Sequence, residues 1–239
     1  MVQLSKLKNY ISSSLKREII KTLDGSTTIH LPDWDECYHS KHGAIQEAYH
    51  VFIKNGLHLM HKKELSILEI GFGTGLNALI TLIEATKLNL QINYCGVEAY
   101  PVETDEALLM NYLQELNATN LEAEFVKMHQ SNWNEQQLFN NHFTLTKRKQ
   151  FFQDIEDKNT FDLIYFDAFG YRVQPELWST EIFKKMYDSL LESGVLVTYA
   201  ARGVVKRSMQ EVGFVVKKVP GPPGKREMFI AFKNFNTLL

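Results

Sequence analysis

Three glycines at alternate positions, Gly71, Gly73 and Gly75, interrupt the stretch "ILEIGFGTGLNALI" between an apolar run and a helical apolar pattern. A strand, a tight turn and a helix start in that order grip part of a nucleotide-like ligand. Glycine removes the side chains that would hold the ligand off, and the first helical turn presents unpaired N–H groups. A phosphate-cradling loop needs Gly-Lys-Ser/Thr after four spacer residues, and "GFGTGLN" has neither the lysine nor the hydroxyl in place. A dinucleotide loop wants its third glycine one residue later. The spacing favours S-adenosylmethionine, with the glycines admitting its methionine and ribose portions. Glu98, ending the next apolar run, suits a ribose diol in either kind of site. Glu69, just before the loop, is placed to attract the ligand's ammonium group through a water. The rival reading is a ligand-free turn with Glu98 as a solvated strand end.

Two further carboxylates matter. Asp154, in "FFQDIED", follows the expected third strand, where a carboxylate can accept the exocyclic amino proton of an adenine; a plain loop acid is the competing reading. Asp167 ends "FDLIYFD", the most apolar strand of the chain, beside the point where open α/β sheets hold ligands. Its alternative role is to cap the following turn. Tyr199 stands at the end of the fifth strand and can lend an aromatic face or hydroxyl to the same pocket, or be an ordinary strand residue. Lys206 with Arg207, and Lys225 with Arg226, are two cation pairs able to gather into a patch for RNA phosphates, each pair alone being more often a solvated face. The 8 histidines show no HxH or HExxH spacing and are taken as surface or core residues rather than metal ligands.

The elements that must position these residues alternate along the chain. Strands are expected at residues 65–70, 92–100, 150–153, 161–167 and at "GVLVTYA", "FVVKKV" and "REMFIAF". Helices are expected from about residue 77, over 103–116, from Pro175 to a stop at Gly194, and at "VVKRSMQEV". Residues 117–149 carry no clear period and read as a polar helix-and-loop insertion. Repeated strand-then-helix steps with a closing strand pair predict a doubly wound, mainly parallel α/β sheet of seven strands, Rossmann-like. Residues 1–60 form a short N-terminal extension, a hairpin and a helix, and residues 61–239 form the catalytic domain.

With 44% hydrophobic residues in 239, the chain can bury one substantial core. Its net charge of −2 gives no overall polyanion signature, so contact with nucleic acid must come from a local patch. The 2 cysteines, Cys37 and Cys95, have no pairing pattern and supply neither a disulfide framework nor a zinc site. Apolar runs are far shorter than the roughly 20 residues that span a bilayer. "MVQLSKLKNYISSSLK" lacks a secretory core, so a soluble cytoplasmic protein without membrane or metal is expected.

From about residue 22 to residue 232 the chain resembles the methyltransferase domain of the MnmC family, bacterial enzymes that complete methylaminomethyl-uridine at the tRNA wobble position. The resemblance lies in "YHSKHGAIQEAYHVF", "GFGTGLN", "GVEAYP", "FDAF" followed by "PELW", "VTYAARGVVKRSM" and "GPPGKREMF", in order. It implies a class I methyltransferase fold in which Gly71, Gly73, Glu98 and Asp154 hold S-adenosylmethionine and Asp167 lies beside the amine to be methylated. The implied acceptor is the aminomethyl group of 5-aminomethyl-(2-thio)uridine in tRNA.

Two departures stand out. Two-domain members carry a flavin-dependent domain after the methyltransferase, and this sequence ends at Leu239 without one, so a separate enzyme would supply the aminomethyl precursor. The family tends to read Asp-Gly-Phe-Ala-Pro where this chain has "DAFGYRVQPELW", which changes the loop at residues 170–174. Two other functions stay open: a methyl- or aminopropyl-transferase acting on a small amine, and a non-catalytic binding protein on the same fold.

Overall fold

The computed structural model describes residues 16–234, so the expectations for the first part of the N-terminal extension lie outside the described residues. Strands β4 (Glu64–Ile70), β5 (Gln91–Glu98), β6 (Gln136–Asn140), β7 (Phe143–Lys149), β8 (Phe161–Phe166), β9 (Leu190–Thr198), β10 (Val215–Pro220) and β11 (Glu227–Phe232) form one sheet. Its order is β10-β11-β9-β8-β4-β5-β7-β6. Strands β9, β8, β4, β5 and β7 run parallel, whereas β6, β10 and β11 pair antiparallel.

The central strands are apolar because both faces are covered. Along β4 the side chains alternate: Leu65 and Ile67 join one core and Leu68 and Ile70 the other. Over the first face lie α2 (Leu76–Leu88) and α5 (Glu122–Gln130), and over the second α6 (Thr180–Ser189) and α7 (Gly203–Glu211). The register aligns Ile70 of β4 with Val97 of β5 and with Phe166 of β8, so residues 71, 98 and 167 emerge together at one edge.

The expected helix over 103–116 is two short ones, α3 (Thr104–Ala107) and α4 (Tyr112–Glu115), with Leu109 largely exposed between them. Asn111 explains the break. Its amide Nδ2 donates to the Gly25 carbonyl at 2.9 Å, and its Oδ1 accepts the Thr27 N–H at 2.8 Å. A tertiary tie to the N-terminal hairpin thus replaces helical continuity.

The third parallel strand is β7, not residues 150–153, which leave β7 and run into a 3₁₀ turn at Phe152–Asp154. Its sequence "FTLTKRK" buries alternate residues, and the polar ones between conceal it from a search for apolar runs. With β6 added at its edge the sheet has eight strands rather than seven. Helix α6 stops at Ser189, and Gly194 lies inside β9, because Leu190 already pairs with Phe161 of β8.

The described part of the N-terminal extension is a three-stranded sheet, β1 (Glu18–Lys21), β2 (Thr27–Leu31) and β3 (Glu36–Cys37). The chain continues into α1 (Ala44–Ala48), prolonged by a π turn over Tyr49–Lys54 that buries Val51, Phe52 and Ile53 against the main sheet. The segment after β2 thereby hangs over the carboxyl edge of that sheet.

Candidate active site

The glycine loop leaves β4 and turns at once under β5: the N–H groups of Gly71 and Phe72 both donate to the Val97 carbonyl, at 3.0 and 3.1 Å. All three glycines have positive φ, +89° at Gly71, +50° at Gly73 and +74° at Gly75, a region that other residues adopt at a cost. Their surroundings differ. A β-carbon on Gly71 would meet the Asp167 carbonyl oxygen at 2.6 Å, and one on Gly73 would meet the Tyr38 ring at 3.2 Å. At Gly75 it would meet the His129 ring at 3.2 Å, so this glycine serves packing behind the loop. Glu98 fixes the loop from the next strand: Oε2 accepts the Gly73 N–H at 3.1 Å and Oε1 accepts the Tyr100 N–H at 3.0 Å. Burial lifts its pKa, while these backbone donors pull the other way.

A cavity of about 500 Å³ opens at this edge. Gly71, Gly73, Glu98, Asp167, Tyr199 and Lys225 line it; Glu69, Gly75, Asp154, Lys206, Arg207 and Arg226 do not. Glu69 is 1% exposed, because its place in the β4 alternation points it beneath α2. There its Oε1 accepts the Asn77 side-chain N–H at 2.9 Å, a position that does not match the expected water-bridged contact with a ligand. Asp154 is exposed in the 3₁₀ turn, and its neighbour Gln153 is the turn residue that reaches the cavity with Phe151 and Phe152. Arg207 and Arg226 are exposed, away from the cavity.

Lys225 departs from the phosphate-facing position expected of it. Although Arg226 next to it is exposed, Lys225 turns inward and forms an ion pair with Glu47 of α1. Its Nζ lies 3.8 Å from the centroid of the Tyr199 ring, and the Tyr199 hydroxyl donates to the Ala168 carbonyl at 2.8 Å. Asp167 sits beside this group. Its Oδ2 accepts a hydrogen bond from Asn77 Nδ2 at 2.9 Å, so one buried amide joins Asp167 to Glu69. Burial first, and then repulsion from Glu47, push the Asp167 pKa up to about 7, against the Asn77 hydrogen bond and the Lys225 charge. A carboxyl tuned there exchanges protons near neutrality.

Sequence reasoning missed Asn77, Glu47 and the aromatic wall, although the stretches holding Asn77, Glu47, Tyr38 and Phe169 carried the family resemblance. Trp34 and Tyr38 both meet the Phe169 ring edge-on, at centroid distances of 5.7 and 5.1 Å, and all three line the cavity. His39 and His42 line it too; burial holds the His39 pKa down to about 4, which keeps it neutral. No local signal announces these residues, because the N-terminal segment reaches the site only through folding. Among the described residues, no group of three or more His, Cys, Asp or Glu side chains could hold a metal, and no helix is long and apolar enough to cross a membrane.

The sheet order, the loop after its first parallel strand and the acid ending the second define a class I α/β transferase fold. The chain belongs to the S-adenosyl-L-methionine-dependent methyltransferase family whose model matches residues 113–234. It is similar to the tRNA 5-methylaminomethyl-2-thiouridine biosynthesis bifunctional protein MnmC of Marinomonas sp. (strain MWYL1), at 30% identity over 226 residues, covering 87% of this chain and 33% of that protein. The chain spans about a third of the length of the curated relatives it matches. Its fold is similar to that of MnmC2 from Aquifex aeolicus, with a TM-score of 0.72 at 22% identity over 97% of this chain and 77% of that one. Spermidine synthase from Thermotoga maritima shares the fold more distantly, with a TM-score of 0.56 at 14% identity, covering 93% and 70% of the two chains.

Proposed function

We propose that this methyltransferase N-methylates the aminomethyl group of 5-aminomethyl-(2-thio)uridine at the tRNA wobble position. One observation carries the reading: a carboxylate with its pKa near 7, Asp167, lines the same cavity as the glycine loop and Glu98. The relatives named for methylaminomethyl-thiouridine biosynthesis supply the acceptor.

The cavity fits S-adenosylmethionine. Gly71 and Gly73 keep the loop bare where a β-carbon would collide with the Asp167 carbonyl or crowd the Tyr38 ring, and Glu98 keeps free lone pairs for the ribose hydroxyls while its oxygens hold the loop. The adenine end is assigned to the turn Phe152–Asp154, with Gln153 on the cavity and the Asp154 carboxylate exposed beside it. The bound cofactor supplies a methyl group already activated on a sulfonium.

The protein's remaining tasks are alignment and proton removal. An acceptor amine arrives as an ammonium ion, and its nitrogen must lose one proton to become a nucleophile. Asp167 accepts that proton; at a pKa near 7 the acid form is stable enough to take it and labile enough to release it to solvent. The Asn77 hydrogen bond holds the carboxylate in one orientation throughout. Once Asp167 has passed that proton to solvent it is ionised again, and it stabilises the positive charge that the nitrogen regains as the new C–N bond forms. The aromatic rings of Trp34, Tyr38 and Phe169 offer a wall for a splayed-out base.

Half-buried Lys206 and the exposed Arg207 and Arg226 are the proposed phosphate contacts. Residues up to 60 act as an accessory extension of the domain at 61–239, and the setting is cytoplasmic. Mass spectrometry of wobble nucleosides from cells lacking this chain tests the reading: aminomethyl-uridine should accumulate, and an unchanged nucleoside profile would refute it. A small-molecule amine acceptor predicts no steep salt dependence of tRNA affinity, whereas the tRNA enzyme requires one.

A further inference from the structure

The wall of the cavity formed by α1 and the turn before β11 is built around an ammonium group. Lys225 is anchored in that turn, where its N–H donates to the Pro222 carbonyl at 2.9 Å. Its Nζ meets Glu47 Oε2 and lies over the Tyr199 ring, 3.8 Å from the centroid. Glu47 is only 6% exposed, and its second oxygen accepts the Ser40 N–H at 3.1 Å, so the carboxylate cannot turn away to water. Asp167 lines the same cavity. A fixed carboxylate, an aromatic face and a second carboxylate are what an alkylammonium needs once it leaves water. In this structure the chain's own lysine supplies the cation.

We propose that Glu47 is the acceptor-recognition residue: the cationic aminomethyl arm of the substrate replaces Lys225 at the Glu47 carboxylate and the Tyr199 face, which brings its nitrogen beside Asp167. The inference rests on the reading of the acceptor as a primary amine carried by tRNA. Charge balance supports it. With Asp167 ionised, Glu47, Asp167 and Lys225 leave one surplus negative charge on the cavity wall, which an incoming ammonium neutralises and a neutral side chain does not. The flexible stem of a lysine lets its charge move aside without moving the backbone. A uridine carrying a hydroxyl in place of the amine cannot displace Lys225, so the pair selects for the amine before chemistry begins.

The test compares two anticodon stem-loops that differ only at the wobble side chain, aminomethyl against hydroxymethyl, with affinity for the full chain measured in the presence of S-adenosylhomocysteine. The parent protein should prefer the aminomethyl form. Glu47→Gln should remove that preference, roughly ten- to a hundredfold for a hydrogen bond to a charged partner, without changing affinity for the hydroxymethyl form. Lys225→Met keeps Glu47 and removes the internal competitor, so it should widen the preference. Equal weakening of both stem-loops by Glu47→Gln, or a preference narrowed by Lys225→Met, would show that the pair is a strut between α1 and the turn and would overturn the proposal. If the parent binds S-adenosylhomocysteine but neither stem-loop, the tRNA reading itself falls, and this inference with it.

Discussion

The backbone carbonyl of Asp167 lies 2.6 Å from the point where a β-carbon on Gly71 would stand, and the Asp167 N–H donates to the Ile70 carbonyl at 2.9 Å. The cofactor loop and the proposed proton acceptor are therefore two sides of one backbone joint. Gly71→Ala should force the joint open, since the new methyl group meets backbone rather than a yielding side chain and the φ of +89° strains an alanine besides. Strain of about 1–3 kcal/mol alone predicts at least a several-fold loss of S-adenosylmethionine affinity and a lower melting temperature. Calorimetry and thermal unfolding that match the parent would show the loop free of Asp167.

Glu98→Ala should weaken S-adenosylmethionine binding by roughly ten- to a hundredfold, because a charged acceptor for the ribose hydroxyls is lost. The same change frees the N–H groups of Gly73 and Tyr100, so the loop should also loosen. Hydrogen exchange at these two amides, measured without cofactor, should accelerate; unchanged exchange and unchanged affinity together would remove Glu98 from the site.

Asp167→Asn should separate binding from chemistry. The amide keeps size and one acceptor oxygen, so both ligands still bind, but the charge that steadies the developing ammonium is gone. A preorganised group of this kind accounts for about 2.7–4 kcal/mol, so kcat should fall roughly a hundred- to a thousandfold with little change in either Kd. Raising the pH should recover part of the lost rate, as solvent hydroxide does more of the deprotonation.

Stability should move with opposite sign. The Asp167 pKa rises from 3.8 to about 7 on folding, so the folded chain holds a proton there that the unfolded chain has released. Its contribution is present below about pH 4 and is lost as pH rises through about 7, so the Asn variant should gain stability relative to the parent across that window. Chemical denaturation of both proteins at pH 5 and pH 8 measures it, and a constant difference would mean that Asp167 titrates normally.

Lys206→Ala with Arg207→Ala should weaken tRNA binding and leave cofactor binding intact. Removing two phosphate contacts flattens the plot of log affinity against log salt by on the order of 1.4–1.8. Lys225→Met should flatten it far less, because that lysine is engaged with Glu47 and Tyr199 inside the cavity. Equal effects from the two variants would put Lys225 back among the phosphate contacts.

The sequence by itself determined the parallel core and the loop chemistry, since both are local. Strand β8 is a buried and mostly apolar run because it is covered on both faces, and the glycines at 71, 73 and 75 are legible because a bare turn before a helix needs them. The acids at 98 and 167 followed from strand ends, and parallel register then brings ends of equal phase to one edge. Strand β7 escaped notice because an edge-side strand buries only alternate residues, and the helix at 103–116 was overrun because Asn111 answers to Gly25 and Thr27, far away in sequence.

Only the tertiary structure decided what Glu69, Lys225 and Glu47 do. The pleat of β4 turns Glu69 under α2 and onto Asn77, away from the cavity. Lys225 and Arg226 look alike as neighbouring cations, yet the turn that holds them sends one inward to a buried carboxylate and the other to solvent. Glu47 precedes the glycine loop by more than a strand and enters the site because the N-terminal segment folds back over the sheet edge. Sequence spacing fixes side-chain direction within one strand or helix, but which cation meets which carboxylate depends on contacts between segments whose separation along the chain carries no geometric information.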